Sequence, residues 1–122
     1  MPVNSHNALP LHDKTAVIHG GGGAIGGAVA RAFARDGAQV FIAGRSRAKL
    51  ERVREAIVAT GGVAEVAEVD ALDEAAVNDH IDAVARMTGR IDITLNAVFV
   101  ASDRASAMTG AIANLSCGAL VD

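Results

Sequence analysis

Six of the chain's 13 glycines occupy eight consecutive positions in the stretch His19-Gly-Gly-Gly-Gly-Ala-Ile-Gly-Gly27. A glycine held in a regular element costs roughly 0.5–1 kcal/mol relative to alanine, so so dense a cluster marks a place where bare backbone is needed. Exposed main-chain N–H groups can cradle an anion such as a phosphate, although glycines alone also suit a plain turn or linker. Further along, Arg45, Arg47, Lys49, Arg52 and Arg54 place five of the 11 cationic side chains within ten positions. From Arg47 to Arg54 these read as a solvated helix face paired with Glu51 and Glu55, whereas Arg45 directly follows a strand-like run and is free to meet an anion. The four histidines make poor general acids. His6 and His12 lie near the N-terminus, His19 borders the glycines, and His80 shares a helix face with Val77 and Val84, which suits packing. Cysteine and histidine do not cluster at ligand spacing, so no metal is expected.

The chain that must position these groups has 122 residues, enough for one domain with a real core. It is 51% hydrophobic and 20% charged with a formal charge of -3, which supplies no bulk attraction to nucleic acid. A single cysteine, Cys117, and the lack of a basic-then-apolar leader suggest a reducing cytoplasm. The longest uncharged stretch, residues 105–121, is interrupted by Ser, Thr, Asn and Gly and makes a poor membrane span.

Periodicity divides the remainder. Residues 1–14 carry both prolines and no sustained pattern, and are expected as a loose arm. Thr15 to His19 is a short β-branched run. From Ile25 the apolar residues Ile25, Val29, Ala32 and Phe33 recur at helical spacing until Asp36-Gly37. The unit then repeats: strand over 39–43, helix over 48–60 (Leu50, Val53, Ile57), strand over 63–69, helix over 74–87 (Val77, Ile81, Val84), strand over 91–95. Strands alternating with helices predict an α/β fold, half of a doubly wound parallel sheet. The glycines fall at its first strand-to-helix turn, where free helix N–H groups and the positive dipole end meet any ligand at the strand tips. Two registers fit: Gly21, Gly23 and Gly26 satisfy G-x-G-x-x-G, while Gly20, Ala24 and Gly26 nearly satisfy G-x-x-x-G-x-G.

Four segments together resemble the short-chain dehydrogenase/reductase family. They are TAVIHGGGGAIGGAVARAFARDGA against its T-G-x-x-x-G-x-G fingerprint, GRSRAKL after the second strand, VDALD, and IDITLNA against I-D-x-L-V-N-N-A-G. His19 replaces the family's Thr and Ala24 its middle Gly; Asn96 matches its first Asn, while Ala97, Val98 and Phe99 depart from the rest. The resemblance selects the second register. It implies a Rossmann-like sheet of order 3-2-1-4 plus a C-terminal strand, and a nicotinamide dinucleotide cofactor. The implied cofactor-binding residues are Gly20, Gly22, Gly23, Ile25 and Gly26 of the loop, Arg45 at the ribose, Asp70 and Ala71 at the adenine, and Asn96 on the adenosine side. A basic residue after the second strand favours NADP(H) over NAD(H). Read on its own, Asp70 serves almost as well as an N-cap or turn residue before the next helix.

The tail, FVASDRASAMTGAIANLSCGALVD, resembles the family's closing segment, with Ser116 and Cys117 in place of its Asp and first Gly. Residues 15–98 then form the nucleotide-binding half and residues 99–122 a helix-strand segment, joined near Val98 without the family's middle. That middle carries the Ser and Tyr-x-x-x-Lys that move protons at the substrate oxygen. The chain has no tyrosine, and Lys14 and Lys49 lie outside that context. The expectation is an oxidoreductase relative that binds dinucleotide without the usual catalytic residues, and associates with itself through an exposed sheet edge. The alternatives are a non-catalytic binding or assembly module, or a non-functional deletion product.

Overall fold

The computed structural model describes residues 9–97. The elements run β1 (Thr15–His19), α1 (Ala24–Arg35), β2 (Gln39–Gly44), α2 (Arg47–Ala59), β3 (Val63–Glu68), α3 (Glu74–Thr88) and β4 (Ile93–Asn96). All strand pairs are parallel, in the order β3-β2-β1-β4. The expected Rossmann-like half-sheet is therefore present. The expected C-terminal strand, and the junction near Val98, lie outside the described residues.

Two apolar layers flank the sheet. Alternate residues of β1 and β2 (Ala16, Ile18, Val40, Ile42) pack with Ala30 and Ala34 of α1 and Leu50, Val53 and Ile57 of α2. The opposite residues, Val17 and Phe41, pack with Val84 of α3. All five residues of β1 are buried because β1 lies between β2 and β4 with helices on both faces. A continuous apolar run in place of alternation is what such a strand requires.

Local chemistry sets the element ends. α2 begins at Arg47 because the Ser46 hydroxyl accepts from the Lys49 backbone N–H at 3.3 Å. Asp73 caps α3 in the same way through the Ala76 N–H, and Gly89 in the left-handed region ends it. β4 begins two residues later than the apolar pattern predicts. Asp92 is used as a bracket: its N–H donates to the Thr15 carbonyl, and its carboxylate accepts from the Thr15 N–H at 2.8 Å. Residues 9–14, the end of the expected loose arm, are tied down, with the Leu11 N–H donating to the Asp36 carbonyl at 2.8 Å. Among the described residues no helix is long and apolar enough to cross a membrane.

Candidate functional site

The glycine loop leaves β1 at Gly20, whose φ of +80° is accessible to glycine at no steric cost. The Gly20 and Gly21 N–H groups both donate to the Ala43 carbonyl, turning the chain back across the tip of β2. α1 then starts at Ala24 with Gly23 as an N-cap that lacks any side-chain hydrogen bond. The first-turn N–H groups of Ala24, Ile25 and Gly26 have no intrahelical acceptor and point out of the helix start with its positive dipole end.

Gly26 has a different role. A Cβ there would overlap the Gly20 carbonyl oxygen, so Gly26 is glycine because the loop folds down onto the helix. Gly23 is less crowded: the nearest atom to a Cβ there is the Gly20 oxygen at 3.6 Å, an ordinary van der Waals distance.

Beside this loop lies a cleft of about 260 Å³ at the carboxyl ends of the strands, where open α/β sheets take their ligands. Of the residues singled out in the sequence, Gly20, Gly22, Gly23, Arg45, Asp70 and Ala71 line it. Gly26 lies beneath the loop, and Ile25 projects from the first turn of α1, 48% exposed. Asn96 does not line the cleft. Its side-chain N–H donates to the Ala71 carbonyl at 3.0 Å and so fastens β4 to the cleft wall. Asp70 accepts from the Leu72 N–H at 3.0 Å, a turn contact, and it is Asp73 that caps α3. A larger groove of about 1000 Å³ lies at the opposite ends of the strands, near Arg35, Gly62 and Arg90, away from the glycine loop.

The cations divide in a way that spacing alone does not reveal. Arg47 Nε donates to Glu68 at 2.8 Å and its Nη1 lies 3.4 Å from Glu51. These contacts, with the Glu68 hydrogen bond first, raise its pKa above the ordinary arginine value. Arg54 is held by Glu51 and the Ala64 carbonyl. Lys49, assigned to the solvated face with them, instead lines the cleft together with Ser46. The missed signal was the cap: once Ser46 is the N-cap, Lys49 lies in the first turn of α2, against the loop at Gly22. Neither Arg45 nor Lys49 has a carboxylate partner among the described residues.

The histidine beside the loop is buried. His19 is 2% exposed, and its Nε2 lies 3.0 Å from Nδ1 of His80 on α3. Burial first, then the neighbouring His80, draws the His19 pKa down to about 4, and burial lowers that of His80 as well. Both rings are neutral at pH 7.

The sequence model of one family, described as short chain dehydrogenase, matches residues 14–114. The chain belongs to that family. It is 40% identical over 86 residues to an uncharacterized oxidoreductase, YxbG, of Bacillus subtilis (strain 168), a match covering 70% of this chain and 32% of that protein. Among solved structures, a metagenomic short-chain oxidoreductase in complex with NADP superimposes with a TM-score of 0.66 and 34% identity, over 70% of this chain and 38% of that one. An NAD+-bound xylitol dehydrogenase does so with a TM-score of 0.64 and 30% identity, over 69% of this chain and 32% of that one. The chain thus spans about a third of the length of the short-chain dehydrogenases it matches.

Proposed function

We propose that the chain binds a nicotinamide dinucleotide by its adenosine half, with NADP(H) favoured over NAD(H). The observation that carries this reading is the cleft itself, which joins an uncapped helix start, a glycine loop and two cations without carboxylate partners among the described residues. The residues present fit the cofactor. At Gly23 the missing Cβ leaves room for a pyrophosphate to approach the N–H groups of the first turn of α1. Arg45 and Lys49, at the tip of β2 and the start of α2, would hold a ribose 2′-phosphate, while the carboxylates nearest to Arg47 keep it out of that role. Asp70 would accept from the adenine amino group. Metagenomic NADP-bound and NAD+-bound relatives share the fold, so the preference rests on the charges in this chain.

When bound, the nicotinamide supplies or accepts hydride. The chain contributes binding and orientation to that chemistry. The 122 residues contain no tyrosine, and no residue among them is proposed as catalytic. The reading is therefore of a family member that retains dinucleotide binding in a reducing, cytoplasmic setting. β4 is the last strand in the described sheet, and an open edge invites pairing, so we propose a homo-oligomer. That same edge favours a second reading, a non-catalytic module that assembles with itself or with a longer relative.

Isothermal titration with NADPH, NADH and 2′-phospho-ADP-ribose tests the proposal. Binding of the first and third, with NADH weaker, is expected; no heat with any of them overturns it. NADPH oxidation with generic carbonyl substrates would contradict the absence of catalysis.

A further inference from the structure

The His19–His80 contact has no counterpart in the motifs that link this chain to its family, and its placement gives it a role. His19 is the last residue of β1, and Gly20, the first residue of the loop, follows directly. On the β2 side the turn is fixed by the two N–H bonds to the Ala43 carbonyl. On the other side the His19 ring leaves the sheet on the face that Val17 and Phe41 share with α3. There it meets His80 edge-on, with ring planes at 88° and centroids 5.0 Å apart. With Nε2 and Nδ1 3.0 Å apart, one proton lies between the two rings, and each satisfies a nitrogen of the other. No buried side-chain nitrogen or oxygen among the described residues lacks a partner. Among those residues this is also the only side-chain hydrogen bond between α3 and β1; the rest of that contact is the apolar cluster of Val17, Phe41 and Val84.

The surroundings make the clasp directional. In register with His19 stand Ala43 on β2 and Asn96 on β4, neither of them ionisable. Asp79 and Asp82, the acidic neighbours of His80 on α3, are exposed. Among the described residues nothing charged bonds to either ring, so the orientation of the His19 ring depends on His80. We propose that His80 is a positioning residue for the phosphate loop, acting through His19: it holds the end of β1 so that the turn at Gly20 begins in the binding geometry. The inference rests on the dinucleotide reading of the loop and adds a residue of α3 to it.

The test compares His80→Met, which removes the acceptor, with His80→Gln, whose amide can still donate and accept. Two readouts are used on the full chain: amide exchange at Gly20 to Gly23, measured without ligand, and the affinity for NADPH. His80→Met is expected to speed loop exchange and weaken NADPH binding by about tenfold each, with amides of β2 and β3 unchanged, and His80→Gln to recover both to within about threefold of the parent. If His80→Met does not fold, His80→Asn, too short to span the gap, replaces it with the same expectation. Loop exchange and NADPH affinity matching the parent in the breaking variant overturn the proposal, as does equal loss in the Gln and breaking variants. If the parent binds neither NADPH nor NADH, the dinucleotide reading falls, and loop exchange without ligand still decides whether His80 positions the loop.

Discussion

Gly26 sits directly beneath the carbonyl oxygen of Gly20, in a position where any Cβ would overlap that oxygen. Gly26 is therefore required by the path of the loop at Gly20, whose own φ of +80° favours glycine separately. Gly23, between them, would seat a Cβ at an ordinary van der Waals distance from the Gly20 oxygen. Gly26→Ala is expected to destabilise the chain by about 1–3 kcal/mol, with Gly26→Val worse, because the loop must lift off α1. Gly23→Ala should leave the melting temperature nearly unchanged and weaken NADPH binding. Thermal melts and calorimetric titration check both; a stable, binding-competent Gly26→Val would refute the account of the loop.

Arg45 and Arg52 are both exposed arginines near the start of α2, yet only Arg45 lines the cleft. A charge-assisted contact to a 2′-phosphate is worth enough that Arg45→Ala should weaken NADPH roughly 10- to 100-fold, with little change for NADH. Lys49→Ala should act in the same direction and Arg52→Ala hardly at all. Equal losses for both cofactors would make Arg45 a structural charge.

The histidine pair ties stability to pH. His19 has a pKa near 4 in the folded chain against an ordinary value of 6.5, so the unfolded chain binds the proton more readily between those values. Stability is fully present above pH 6.5 and declines as pH falls towards 4, by up to roughly 3 kcal/mol. Asp92 adds a separate window. Its hydrogen bond to Arg90, then that to the Thr15 N–H, holds it below the ordinary 3.8, so its contribution is lost only at lower pH. Urea unfolding at pH 7.5 and 4.5 should show the difference, and His19→Thr should flatten most of it. A parent with equal midpoints at the two pH values would contradict the burial of a neutral His19.

β4 is the edge strand of the described sheet. The proposed association through this edge predicts a dimer or larger assembly in light scattering, with an apparent mass that falls on dilution. A compact monomer at high concentration in the parent would remove the proposal.

The alternation of strand and helix was legible in the sequence because its signals are local. β-branched runs, the helical spacing of Leu50, Val53 and Ile57, and the stops at Asp36-Gly37 and Gly61-Gly62 act within one element, and their alternation implies parallel strands joined by right-handed crossovers, while the order 3-2-1-4 came from the family resemblance and is the order observed. The glycine loop and Arg45 at the strand tips were legible for the same reason. What only the tertiary structure decided were partnerships between distant residues. The His19 ring meets a ring 61 positions away, Arg47 is taken by Glu68 at the end of β3, and Lys49 is brought to the cleft by the cap at Ser46. Gly26 is glycine because of a carbonyl six positions earlier that only the folded turn brings above it. Periodicity specifies which face of an element is buried, but side-chain reach and backbone approach across elements are set by packing, and packing distributed these charges and rings between structure and site.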